Sequence, residues 1–231
     1  MEALRASRLS LKDGDIFAVS SKVVSIDEGR TVPMEGADKE ALIIAEADWY
    51  RKPKASRWRS RFTIAKGVMV GSSGIDESNG SDHYVLYPHD PFKSAKRLRA
   101  RLMKEYGVKE LGVIITDSTS LPLRRGAIGF ALAWDGIDPL RDYRGTPDIF
   151  GRAIRIELAN LIDALAAAAV LEMGEGAECT PAAVIRGAKG IILKNRSPRN
   201  AAQLIVEPED DVFAPLFWGR GWKPGGRGAK R

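Results

Sequence analysis

Between Ile154 and Met173 the chain keeps helical periodicity, and from Leu161 to Leu171 every position except Asp163 is apolar. A helix with apolar residues all round has to be packed on several sides, which demands substantial neighbouring structure. Gly174 is a natural C-cap for it, and Gly174-Glu175-Gly176 then forms a loop before a short strand over 182–185. Upstream, small apolar and β-branched residues predict a strand over 16–24 running into a polar turn at Ser25 to Arg30. Periodicity predicts a helix over 37–50 with Leu42, Ile43 and Trp49 on overlapping faces. A hairpin is expected around Lys66-Gly67, and a further strand over 83–87. Asp90-Pro91 opens a helix and Gly107 closes it. That helix carries Lys93, Lys96, Arg97, Arg99, Arg101 and Lys104 on a solvated face and offers Leu98 and Leu102 to the core. Strands follow over 111–116 and 127–133. Hairpin connections outnumber crossovers, so the expected class is α+β, with mixed, mainly antiparallel sheets and packed helices.

A chain of 231 residues with 44% hydrophobic and 29% charged residues is an ordinary globular composition and needs no staples. The expected organisation is one domain over residues 1–218, or two intertwined subdomains around a cleft, followed by a flexible basic tail at 219–231. A single cysteine, Cys179, excludes an internal disulfide and a thiolate zinc site. No stretch approaches the roughly 20 apolar residues that span a bilayer, and a cytoplasmic location is expected. Between Arg51 and Lys66 stand seven basic residues and no acidic one, with Trp58 among them. Such a run suits nucleic acid or the phosphates of a small ligand, and equally a solvated loop.

The chemistry lies in the loops. Gly74-Ile75-Asp76-Glu77-Ser78-Asn79-Gly80 is a turn rich in side-chain oxygens, and the apolar run Val113 to Thr116 ends on Asp117, followed by Ser118. With Glu175 these carboxylates lie in three predicted loops, and hard oxygen ligands suit Mg²⁺ or Mn²⁺. An aspartate at a strand end is nevertheless more often a turn-former or helix cap than a metal ligand. The patterns G-x-x-x-x-G-K-[ST] and G-x-G-x-x-G are missing, which excludes a standard P-loop and a standard dinucleotide fingerprint. Only His83 and His89 are present, so a serine or cysteine triad has little support.

Several runs, in order, carry a resemblance: Ser21-Lys22-Val23-Val24-Ser25 with Glu28-Gly29-Arg30, Gly74 to Asn79, Ile114-Ile115-Thr116-Asp117, Arg125-Gly126, Asp142-Tyr143-Arg144-Gly145, Asp148-Ile149-Phe150-Gly151-Arg152, Met173-Gly174-Glu175-Gly176 and Val184-Ile185-Arg186-Gly187. From Asp13 to Gly187 the chain resembles the coenzyme F420-0:L-glutamate ligase (γ-glutamyl ligase) family. It looks most like a bacterial branch assigned to folate metabolism. The resemblance implies an amide-forming ligase in which GTP, or ATP, activates a carboxylate as an acyl phosphate that the amine of L-glutamate attacks. The acceptor it implies is a folate or the deazaflavin precursor of coenzyme F420. By position, Asp76, Asp117, Ser118 and Glu175 match metal ligands, with Asp76 and Asp117 as the catalytic pair. Ser21, Lys22, Asn79, Met173, Gly174, Glu175 and Gly176 match nucleotide contacts. Arg124 and Arg125, just beyond the metal loop, suit an anionic substrate. A homodimer is implied as well.

Two departures stand out. The family's usual Ser-Lys-Ala-Glu-Gly-Arg turn reads Ser25-Ile26-Asp27-Glu28-Gly29-Arg30 here, so Ile26 replaces a phosphate-contacting lysine. Twelve residues precede Asp13, so the family's N-terminal loop is expected to be absent. The readings these leave beside the ligase are a ligase fold that has lost its chemistry and a nucleic-acid-binding module.

Overall fold

The computed structural model describes residues 9–51, 61–191, 193 and 204–228. Of the basic run, residues 52–60 lie outside them. The chain forms two compact units, each assembled from separated segments. One comprises Met1–Ser20, Asp90–Ser118 and Gly129–Leu204, the other Ser21–His89, Thr119–Ile128 and Ile205–Arg231.

The first unit is built on a four-stranded sheet in the order β11-β1-β7-β8, made of β1 (Asp15–Ser20), β7 (Leu111–Ser120), β8 (Ala127–Asp135) and β11 (Ala182–Ile185). β1 runs parallel to β7, with Asp15 opposite Leu111 and Ser20 opposite Thr116, and antiparallel to β11. Ile16, Ala18 and Ile114 pack on Ile162, Ala166, Ala169, Val170 and Met173 of the helix Leu161–Met173. Phe17, Val113 and Ile115, which alternation turns to the opposite face, are buried too. Burial on both faces is why these strands read as unbroken apolar runs.

The helix Pro91–Tyr106 begins and ends as its sequence dictates. The Asp90 side chain accepts the Lys93 N–H, Pro91 occupies the first turn, and Gly107 closes it at φ 68°. Leu102 is fully buried. Arg99 does not join the solvated face. It is buried, with Nε donating to Leu111 O at 2.6 Å and NH1 lying 3.4 Å from Asp135 Oδ2. A Cβ on Gly136 would lie 2.3 Å from Arg99 Nε, so only glycine leaves room for the guanidinium.

Two expectations in this unit are corrected. The long helix starts at Leu161, where Asn160 accepts the Asp163 N–H as its N-cap. Leu158–Asn160 is instead strand β10, paired with β9 (Leu140–Asp142), because Ile154, Ile156 and Leu158 alternate with polar residues. Nor is this helix packed all round: Leu171 is 81% exposed, and Ala164 and Ala168 are exposed as well. Alanine counts as apolar yet favours helix without needing burial.

In the second unit, β12 (Trp222–Pro224), β3 (Trp49–Arg51), β4 (Phe62–Ala65) and β5 (Val68–Gly71) form an antiparallel sheet in that order. Lys66 and Gly67 both have positive φ, as a two-residue hairpin between Ala65 and Val68 requires. A second antiparallel pair joins β2 (Thr31–Pro33) to β6 (His83–Val85). Ile43, from the helix Lys39–Glu46, packs with Ile75 and Leu86 to form this unit's small core. The strand expected over 16–24 ends at Ser20, and Ser21–Asp27 is a helix that buries Ser21 and Ser25 one turn apart while Ile26 is half exposed. Tertiary placement overrides the β-propensity of Val23, Val24 and Ile26. Within 219–228, Trp222–Pro224 pairs with Trp49–Arg51, and the Trp218 ring meets Trp49 edge-on at 5.3 Å and lies tilted against Trp222 at 5.5 Å. The α+β class, with mainly antiparallel sheets, stands.

Candidate functional site

In the second unit, the run Gly74 to Gly80 is pinned to β6 by two hydrogen bonds, Asp76 N–H to Val85 O at 3.0 Å and Val85 N–H to Asp76 O at 2.9 Å. Asp76 Oδ1 accepts both the N–H and the hydroxyl of Ser78 at 2.7 Å, the self-closing turn that an Asp followed two residues later by Ser tends to make. Its other oxygen lies 2.7 Å from Lys22 Nζ, and the same ammonium donates to Ser78 O and Oγ at 2.9 and 3.0 Å. Burial raises the Asp76 pKa, yet the Lys22 ammonium, the Ser78 hydroxyl and the Ser78 N–H outweigh it and hold it below the usual carboxylate range. Asp76 is therefore ionised at neutral pH and paired with the Lys22 ammonium. Ile26 sits one turn beyond Lys22 on the same helix and is half exposed.

Asn79 is exposed in this turn at φ 54°, a conformation asparagine tolerates, and Ser21 is buried at the start of the helix that carries Lys22. Arg124 and Arg125 lie exposed in the turn between β7 and β8.

In the first unit, β7 runs on through Asp117 and Ser118, so these two residues belong to a strand and not to the loop expected there. Successive strand residues leave on opposite faces. Ser118 meets Glu175, its Oγ donating to Glu175 Oε2 at 3.2 Å. The loop carrying Glu175 is closed by Gly176 N–H to Glu178 Oε2 at 2.7 Å and by Thr180 Oγ1 to Met173 O at 2.6 Å. A Cβ on Gly174 would lie 2.3 Å from the Glu178 carboxyl carbon, at a φ of 77°. Met173 itself packs in the core, and the Gly174 N–H donates to Val170 O at 2.9 Å. Among the described residues no group of three or more His, Cys, Asp or Glu is gathered to hold a metal ion by side chains alone. A hydroxyl beside a carboxylate fits Mg²⁺ or Mn²⁺, which keep several waters and take one or two carboxylates together with phosphate oxygens.

Sequence reasoning missed Ser78 as the partner of both Lys22 and Asp76. It also missed Arg30, whose Nε donates to Tyr87 O at 2.9 Å behind this turn. An Asp-x-Ser spacing could have suggested the first. Nothing local signalled the second.

Residues 1–187 match the family described as F420-0:Gamma-glutamyl ligase, and the chain belongs to that family. It is an enzyme, an amide-bond-forming γ-glutamyl ligase. Curated relatives match the chain across most of their length. The coenzyme F420:L-glutamate ligase of Methanopyrus kandleri is 35% identical, the match covering 91% of this chain and 89% of that one. Those of Methanothermobacter thermautotrophicus and Methanocaldococcus jannaschii are 34% and 33% identical, over 92% and 88% of this chain and 90% and 86% of theirs. Among the described residues no helix is long and apolar enough to cross a membrane.

Proposed function

We propose that this ligase uses a nucleoside triphosphate, GTP or ATP, and Mg²⁺ or Mn²⁺ to join L-glutamate to a carboxylate acceptor by way of an acyl phosphate. The ion pair of Lys22 and Asp76, closed by Ser78, carries the reading: it offers a cation for phosphate and an ionised oxygen for a metal at one turn. In the first step an acceptor carboxylate oxygen attacks the γ-phosphorus and the nucleoside diphosphate leaves. In the second the glutamate amine attacks the acyl carbon, the C–O bond to phosphate breaks, and the amine gives up a proton as the amide forms. Lys22, Ser21, Asn79 and the Met173-Gly174-Glu175-Gly176 loop are the proposed nucleotide contacts. Asp76, Asp117, Ser118 and Glu175 are the proposed metal ligands. When bound, the cation would offset charge on the transferring phosphoryl oxygens. Arg124 and Arg125, exposed and cationic, suit an anionic acceptor.

The names of the relatives favour a deazaflavin acceptor such as F420-0, with a folate as the alternative. The test is an assay of nucleoside diphosphate release with each nucleotide and metal, each acceptor, and glutamate. Release and new amide should appear in equal amounts and only with acceptor, glutamate and metal together; turnover of the nucleotide that ignores glutamate would sink the proposal. We also propose a homodimer. Its support is the hairpin after β9, where Ile149, Phe150 and Ile156 are more than 80% exposed. Sedimentation equilibrium should return twice the chain mass, and a monomer at assay concentration would refute it.

A further inference from the structure

The segment after Trp222 contributes nothing to the reaction proposed above, yet it is built into the second unit with unusual closeness. Gly225 N–H donates to Asp48 O at 3.0 Å, Gly226 N–H to Ile44 O at 2.9 Å and Arg227 N–H to Ala47 O at 3.2 Å. These carbonyls lie at and just beyond the C-terminal end of the helix Lys39–Glu46, where backbone acceptors run out of intrahelical donors. A Cβ on Gly225 would lie 2.4 Å from Ala47 O, on Gly226 2.7 Å from Ala45 O and on Gly228 2.0 Å from Asp48 O. Only glycine permits this approach, so Gly225-Gly226-Arg227-Gly228 is a strap whose one side chain is Arg227.

That side chain reaches Glu46 Oε2, with NH2 at 2.6 Å and Nε at 3.0 Å. The same oxygen lies 2.7 Å from Arg30 NH2. Burial raises the Glu46 pKa, but the two guanidinium groups outweigh it and keep the carboxyl below its ordinary value. Arg30 in turn bonds to residues in or next to the elements that carry Lys22 and Asp76. Its N–H donates to Ser25 O at 2.8 Å, in the helix that carries Lys22. Its carbonyl accepts the Leu86 N–H at 2.9 Å and its Nε donates to Tyr87 O. The Tyr87 ring lies over Gly74, where a Cβ would come within 2.0 Å of it, and Gly74 opens the turn that bears Asp76.

We propose that Arg227 and Glu46 are positioning residues of the ligase, through which the C-terminal glycine strap holds Arg30 and so sets the spacing of Lys22 and Asp76. The proposal rests on reading that pair as the phosphate and metal group. Removing a residue that hydrogen-bonds to a metal ligand typically costs about 10- to 100-fold in metal affinity or activity, and Arg227, acting through Glu46 and Arg30, is expected at the low end of that range. Arg227→Gln should therefore raise the KM for the nucleotide about tenfold, leave the KM for glutamate unchanged, and weaken Mn²⁺-dependent nucleotide binding in calorimetry. Arg227→Lys should recover part of the loss. Amide hydrogen exchange supplies a readout independent of activity: in Arg227→Gln it should accelerate at Asp76 and Val85 and in the helix Ser21–Asp27, and stay unchanged in β1 and β7. A lower melting temperature with unchanged nucleotide KM and unchanged exchange at those amides would make Arg227 merely structural and overturn the proposal. Wild-type protein that binds neither nucleotide would instead refute the reading of Lys22 and Asp76, while the exchange comparison would still decide the relay.

Discussion

Replacing Asp76 by asparagine is expected to lower the rate of glutamate ligation about 10²- to 10³-fold with little change in fold, the size of effect found when one electrostatic group is removed from a charge-stabilising site. Asparagine keeps an oxygen for the Ser78 N–H and hydroxyl, so the turn survives. What goes is the negative charge facing Lys22 at 2.7 Å. The ammonium is then released from its carboxylate partner, and the proposed divalent cation would lose an ionised ligand. Ser78→Ala should cost far less, because Lys22 and Asp76 still meet directly. Acid titration offers a second check. The folded-state pKa of Asp76 is lowered, so the stability it contributes is present above the ordinary carboxylate range and is lost as pH falls through the lowered value. Asp76→Asn should remove that component of acid sensitivity in a denaturation series, and wild-type turnover in the variant would exclude Asp76 from the reaction.

What could be read from the sequence divides along a physical line. Signals confined to a few neighbouring residues were reliable: the Asp90-Pro91 start and Gly107 stop of one helix, and the Lys66-Gly67 hairpin, each follow from local backbone requirements. Readings based on apolar composition were less so. Ser21 to Val24 reads as the end of a strand because Val23 and Val24 are β-branched, whereas the helix Ser21–Asp27 buries two serines one turn apart. The alternation of Ile154, Ile156 and Leu158 is masked in the sequence by the apolar helix that follows it at once. In the site, Ser118 and Glu175 are 57 positions apart and Lys22 and Ser78 are 56 apart. No local pattern reports such encounters: loop chemistry and family resemblance single out Ser118 and Glu175 without showing that they meet. The same distance hid the strap, since Gly225 and Gly226 look like a flexible tail until the backbone they touch is known.

Arg99→Met is expected to destabilise the protein by about 3–5 kcal/mol, the cost of removing one partner of a buried ion pair. Methionine preserves most of the apolar stem, so packing along the helix Pro91–Tyr106 changes little. The guanidinium, however, is only 9% exposed and faces Asp135, whose side chain is 5% exposed. Its loss leaves that carboxylate buried without its cation and takes from Leu111 O the donor held at 2.6 Å. Position 136 must remain glycine to admit the guanidinium, which shows how closely the site is shaped to it. At two to four degrees per kcal/mol for a chain of this size, the melting temperature should fall by about 10 °C. Arg99→Met with Asp135→Leu should recover much of the loss, because replacing both members of a buried pair by apolar residues is often close to neutral. A single variant within about 1 kcal/mol of wild type would show that the pair is solvated. Because Arg99 ties its helix to the first residue of β7, the strand that presents Asp117 and Ser118, the double variant should restore ligation along with stability. If stability returned and activity did not, the pair would be holding the register of β7 as well as neutralising a buried charge.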